Sequence, residues 1–119
     1  MAEIRLTRVY DHETTRGRTF LVERLWPRGV RRDELHLAEW CKEVAPTTDL
    51  RKWFSHDPAK WAEFRRRYTA ELDANPTGWQ PLAAAARKGT ITLLYSSHDR
   101  EHNNAVVLRD YLLTHVANH

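Results

Sequence analysis

Residues 4–10, IRLTRVY, alternate apolar and polar side chains, with Ile4, Leu6 and Val9 set against Arg5 and Arg8. This period of two predicts a strand. Residues 11–18, DHETTRGR, read as a turn-rich loop that contains a glycine. Residues 19–25, TFLVERL, are β-branched and apolar enough to predict a second, more buried strand. That run meets Trp26-Pro27-Arg28-Gly29. Pro27 cannot donate to a ladder and pushes Trp26 toward extended geometry, and Gly29 admits a backbone angle that other residues reach only at a cost.

The period then lengthens. Leu37, Trp40, Cys41 and Val44 recur at spacings of three and four, which predicts a helix over 33–44 with Asp33 in its first turn. APTT at 45–48 is a break, and Thr47 or Thr48 is placed to cap a short helix across 50–54. SHDP at 55–58 is the clearest helix start, with Asp57 as the N-cap and Pro58 at the first helical position. Trp61, Phe64, Tyr68 and Leu72 follow as one apolar stripe, flanked by Arg65, Arg66 and Arg67 with acidic partners Glu63 and Glu71 at helical spacing. Trp79, Leu82, Ala83 and Ala86 predict another helix, stopped by Lys88-Gly89. TITLLY at 90–95 predicts a short, strongly apolar strand. The polar loop SSHDREHNN leads into a last helix over about 101–115, with Ala105, Leu108 and Leu112 inward and a frayed tail, THVANH.

Helices that separate apolar strands predict an α/β domain: one compact layered unit over 1–119, with a small, mostly parallel sheet flanked by helices. Three strands are obvious, so the sheet is either small or has a strand hidden elsewhere.

Composition narrows the possibilities. The 119 residues are 41% hydrophobic and 29% charged, a globular rather than disordered balance. Cys41 is the single cysteine, which excludes an intrachain disulfide and a cysteine-based zinc cluster. The N-terminal run MAEIRLTRVY lacks the apolar core of a signal peptide, and no run reaches the ~18 apolar residues of a membrane span. A cytoplasmic protein without membrane association is the expectation. The net charge is +3, yet fifteen of the nineteen basic residues are arginine, which favours planar oxyanions and fixed ion pairs. The five tryptophans fit aromatic core packing, and a homodimer that buries some of them is compatible with the same composition.

If the strands at 19–25 and 90–95 are parallel neighbours, the loops WPRG and SSHDREHN leave the same sheet edge, where ligands bind in open α/β sheets. Arg24, Trp26, Arg28, Gly29, His56 and Asn103 are then candidate ligand-binding residues, and His98, His102 and Asp99 candidate catalytic ones. Guanidiniums suit a phosphate, sulfate or carboxylate, and histidine can carry a proton near neutrality. Each residue also has a structural reading. Arg24 and Arg28 can tie loops to Glu23, Glu34 or Asp99. Trp26 can be core, Asp57 a cap, Asp99 a cap for the last helix, Glu23 a buried ion-pair partner, and Cys41 an inert thiol on a helix stripe. His98, Asp99 and His102 make at most a partial metal site that needs His56 or His12, since HDREH is not the HExxH arrangement, and no metal is assigned. No GxSxG, GxxxxGK or GxGxxG run points to a nucleophile elbow or a nucleotide cofactor, so no cofactor is assigned.

RVYD at 8–11, VERLWPRG at 22–29, APTTDLRKWFSHDPAKWAEFRRRYTAEL at 45–72 and TLLYSSHDREHNNAVVL at 92–108 together resemble the family called domain of unknown function 488, in its small YeaO-like branch. The resemblance covers nearly the whole chain. Two departures stand out: Glu23 replaces the aspartate of the family's DRLWPRG run, and YSS at 95–97 is richer in hydroxyls than the alanine-containing version. The resemblance implies a compact α/β domain with its motifs near strand ends, and it implies no particular reaction. Two functional classes follow. One is a small-molecule enzyme or binder that accepts an anion at the strand-end cleft. The other is a nucleic-acid or partner-protein module that uses a convex stripe of Arg51, Lys52, Arg65, Arg66 and Arg67.

Overall fold

The computed structural model describes residues 3–11, 14–35 and 38–117. Its sheet has four strands, β1 (Ile4–Arg8), β2 (Arg18–Leu21), β3 (Ala38–Trp40) and β4 (Ile91–Tyr95), in the order β1-β4-β2-β3. Every neighbouring pair is parallel. The helices are α1 (Thr48–Phe54), α2 (Trp61–Asp73), α3 (Pro76–Lys88) and α4 (Asn104–Ala117). The expected α/β layering is the observed one.

β4 is central, paired with β1 on one side and β2 on the other. Ile91, Leu93 and Tyr95 join Phe20 and Val22 in the core under the helices, where Phe64, Tyr68, Leu72, Leu82, Leu108 and Leu112 meet them. Leu94 and Leu21 take the opposite face and pack with Val9, Val30, Trp26 and Trp40. All five residues of β4 are buried, which explains why TITLLY reads as an unbroken apolar run rather than an alternating one. The polar member, Thr92, satisfies its hydroxyl on the Arg16 carbonyl at 2.8 Å.

The expected helix over 33–44 does not form. A 3-10 turn (Arg32–Leu35), strand β3 and a second 3-10 turn (Lys42–Val44) take its place, and Leu37 lies outside the described residues. Pairing with β2 outweighs the helical spacing. The Cys41 amide donates to the Leu21 carbonyl at 2.8 Å. The Trp40 indole donates to the Glu23 carbonyl at 2.7 Å, and its ring meets Trp26 edge to face at 5.3 Å. β3 is therefore the fourth strand, and Cys41 follows a strand rather than riding on a helix.

Other boundaries shift for local reasons. β2 stops at Leu21, and the chain continues extended, with the Val22 amide on the Leu94 carbonyl at 3.1 Å. α4 starts at Asn104, later than expected, because Asp99 and Asn103 close successive turns before it. Asp99 Oδ1 accepts from the amides of Glu101 and His102, both at 2.9 Å, and Asn103 Oδ1 accepts from Val106 at 3.1 Å. The helix then continues through much of the supposedly frayed tail, to Ala117. Thr47 and Asp57 cap as expected, on the amides of Leu50 (3.3 Å) and Ala59 (3.0 Å).

The candidate site at the carboxyl edge of the sheet

Parallel pairing of β2 with β4 sends both following loops to one edge, as the sequence argument required. Between them opens a cleft of about 610 Å3. Of the sequence candidates, Arg24, Trp26, Arg28, His56, His98 and Asn103 line it. Gly29, Asp99 and His102 do not. Gly29 sits just past Arg28 with φ at 78°, a conformation that suits glycine. Asp99 and His102 form their own pair, Oδ2 to Nδ1 at 3.0 Å, and His102 meets the Trp61 ring edge to face at 5.1 Å. The backbone amides on Asp99 and its histidine contact hold its carboxyl below the usual range.

The arginines in the cleft differ in their commitments. Arg24 donates through Nε to the Pro46 carbonyl and through Nη2 to the Ala45 carbonyl, both at 3.0 Å, so it clamps the loop before α1. Arg8 donates to the Ser97 carbonyl at 2.8 Å and to His98 Nδ1 at 3.0 Å, and its Nη1 lies 3.9 Å from Asp11 Oδ1. The Arg28 side chain has no hydrogen-bond or ion-pair partner among the described residues; only its carbonyl is used, by the Tyr10 hydroxyl at 2.8 Å. Arg51 Nε is buried without a partner.

Among the described residues of the lining, Glu23 is the one carboxylate facing these four cations. Oε1 accepts from the Ser96 hydroxyl at 3.2 Å, while the buried Oε2 has no partner. Burial pushes its carboxyl above the usual value, against the opposing influence of the Ser96 hydrogen bond, the nearby Asn104 amide and the charge of Arg51. Its backbone is fixed by Trp40, and the preceding carbonyl, of Val22, accepts from Asn104 Nδ2 at 2.7 Å.

His56 reaches the cleft rim from a strained turn. Ser55 and His56 both have positive φ, 48° and 57°, consecutive left-handed residues that each cost about 1 kcal/mol. Asn103 is spent on structure: besides its cap, Nδ2 donates to the Asp99 carbonyl at 2.8 Å. Trp26 is both wall and core, since its indole donates to the Val30 carbonyl at 2.6 Å and Arg32 lies 4.5 Å over its ring.

Sequence reasoning did not assign Arg8, Tyr10, Arg51, Ser96 or Asn104 to the cleft, and it read Glu23 chiefly as an ion-pair partner. Arg8 and Tyr10 arrive because β1 also lies parallel to β4, so its carboxyl end opens on the same edge. Their signal was the strand at 4–10 itself, once its neighbour is known. Arg51 was assigned to a convex stripe; in α1 it precedes Phe54 by one turn and turns inward with it. Three arginines of that stripe are internally paired: Arg65 with Asp110 at 2.9 Å, and Arg66 and Arg67 with Glu63 at 2.6 and 2.7 Å. Glu71 turns away from Arg67 and takes the Thr47 hydroxyl at 2.6 Å.

Among the described residues, no group of three His, Cys, Asp or Glu side chains could hold a metal ion, and His12 lies outside them. None of the described helices is long and apolar enough to cross a membrane.

Comparison with known proteins bears on this arrangement. A family model described as the inactive DUF488-N3 subclade matches residues 3–119. The chain is 44% identical to the uncharacterized protein YeaO of Escherichia coli (strain K12) over 110 residues, 92% of this chain and 96% of that protein. It is 34% identical to an uncharacterized protein of Mycobacterium tuberculosis (strain ATCC 25618 / H37Rv) over 110 residues, 92% of each chain. No solved structure matches. With a family match that runs almost from end to end and a relative this similar along nearly its whole length, the chain belongs to the DUF488 family.

Proposed function

We propose that the protein binds a small anion in the cleft at the carboxyl ends of β1, β2 and β4, and that it acts as a binder rather than a catalyst. One observation carries the reading: four arginines, Arg8, Arg24, Arg28 and Arg51, line a concave site in which Glu23, the one carboxylate among the described lining residues, is driven toward its neutral form by burial. A cleft lined by one sign of charge between low-dielectric walls concentrates ions of the other sign. Arg28 supplies an uncommitted planar fork, and Arg8 holds His98 so that its second ring nitrogen is left as a donor.

Binding without turnover is favoured by how the reactive groups are used. His102 and Asp99 pair outside the cleft, Ser96 spends its hydroxyl proton on Glu23, and burial pushes the Cys41 thiol up to about 12. The family model's description as inactive points the same way.

The test is calorimetric titration with inorganic phosphate and pyrophosphate at low and high salt, for the native protein and for Arg28→Gln. Binding should weaken with salt and fall about tenfold in the variant, the cost of one charge-assisted contact. Phosphorus NMR should recover pyrophosphate intact. Absence of binding, or binding indifferent to both salt and Arg28, overturns the cleft reading. Cleavage of pyrophosphate overturns the binder reading.

A further inference from the structure

The cleft is not shaped for a bare inorganic ion. Its volume of about 610 Å3 falls in the range of pockets that take drug-sized molecules. Its lining is also divided. The arginines share it with Tyr10, Leu25, Trp26, Pro27, Phe54 and Phe64.

Leu25 is the one large hydrophobic side chain that is exposed among the described residues, at 61%. A lone exposed leucine is ordinary on a protein surface. This one stands on the cleft rim, flanked in sequence by Arg24 and Trp26 and three residues before the uncommitted Arg28. The chain could bury it: Val22, three residues earlier, is fully enclosed, and Pro27, two residues later, is buried. Instead the loop holds Leu25 out while its neighbours are fixed, Arg24 by the carbonyls of Ala45 and Pro46 and Trp26 by that of Val30. An apolar side chain presented on a fixed loop at the mouth of an arginine-lined cleft gains by covering the apolar part of whatever the arginines hold.

Resting on the reading of the cleft as an anion site, we infer that its ligand is an amphipathic organic anion, a phosphate, sulfate or carboxylate group on an apolar body, and that Leu25 is a residue that selects it. The charged end lies toward Arg28 and Arg51, and the apolar body lies along Leu25 and Pro27. Inorganic phosphate then fills only the charged half of the site.

Paired titrations with inorganic phosphate and phenyl phosphate test this, on the native protein and on Leu25→Ser. Because Leu25 is exposed, the substitution leaves the core untouched. Phenyl phosphate should bind about tenfold or more tightly than phosphate, the return on burying part of a ring. Leu25→Ser should lose about threefold or more of that advantage while leaving phosphate affinity unchanged. If phosphate binds and phenyl phosphate binds no better, the organic-anion inference falls while the anion cleft stands. If neither binds, both fall. If phenyl phosphate is preferred equally by both proteins, Leu25 is not a selecting residue and that part of the inference is overturned.

Discussion

Arg8 Nη2 lies 3.0 Å from Nδ1 of His98. A guanidinium keeps its protons at any working pH, so the arginine is the donor and Nδ1 the acceptor. His98 therefore carries its ring proton on Nε2. Nitrogen-15 correlation spectra in mildly alkaline solution should show the Nε2-protonated tautomer for His98, and Arg8→Met should return it to a mixture. A native His98 protonated on Nδ1 would show that the contact does not form.

Arg24 contributes to the cleft mainly by holding its wall. Lysine keeps the charge but cannot reproduce a planar fork onto two carbonyls. Arg24→Lys should cost about 1–2 kcal/mol in urea unfolding, because one of the Ala45 and Pro46 carbonyls loses its donor. Its effect on phosphate affinity should be smaller than that of Arg28→Gln. The reverse ranking would make Arg24 the ligand contact.

Glu23 gives the protein a pH signature. Its folded-state pKa is raised, chiefly by burial, above the value of an exposed carboxyl. The folded form thus binds more protons than the unfolded form across that interval, and stability falls as pH rises through it. Glu23→Gln should remove this fall and stabilise the protein at neutral pH by up to about 1 kcal/mol, with the advantage gone in acid. Phosphate affinity at neutral pH should rise by a few-fold at most, since the variant removes only the negative charge that burial leaves on Glu23. Unfolding curves across a pH series check the first part and titration the second. Weaker phosphate binding by the variant would contradict the assigned electrostatics.

Two glycines provide a matched pair. A Cβ on Gly17, where φ is +66°, would lie 1.8 Å from the Thr90 carbonyl oxygen, whereas one on Gly29, at φ +78°, meets nothing within 4 Å. Gly17→Ala should cost about 2–4 kcal/mol through backbone displacement. Gly29→Ala should cost only about 1 kcal/mol, from its φ alone. Denaturation midpoints decide, and equal costs would mean the approach of residues 17 and 90 is looser than described.

Cys41 should be slow to label. Burial, then the Glu39 carboxylate, pushes the thiol up to about 12, against a smaller opposing effect of Arg18. Reaction with an aromatic disulfide reagent near pH 8 should run about 100-fold or more below an unhindered thiol, because only the thiolate attacks. Glu39→Gln should speed it a few-fold. A native thiol that labels at the ordinary rate would place Cys41 in a more open setting.

Elements that follow from local chemistry could be read directly along the chain. The caps at Thr47 and Asp57 needed only an acceptor side chain before a free amide. The stripe through Phe64, Tyr68 and Leu72 needed only helical spacing, and β4 only an apolar run too short for a helix. Where partners far apart in sequence decide, the pattern was insufficient. Trp40 and Cys41 carry a helical spacing, yet the open edge of β2 and the ring of Trp26 draw Trp40 into β3 and leave Cys41 just past its end. For the same reason the convergence of Arg24, Arg28 and His98 could be argued from β2 and β4, whereas Arg8 and Arg51 could not be placed without the strand order and the orientation of α1. Asp99 and His102 have residue types that suit chemistry, but which way they turn is set by the capping of one short turn.

The central position of β4 also governs when the protein can acquire its shape during synthesis. β1 spans residues 4–8 and finds its partner only at 91–95, and β2 leans on the same late strand. A ribosome must therefore deliver most of the chain before the first strand has an edge to join. Until then Ile4, Phe20 and Leu21 have no β4 to cover them. Pairings so distant in sequence close slowly and leave apolar strands open to wrong partners. The cleft, bounded by the loops after β1, β2 and β4, can exist only after that last strand has been inserted.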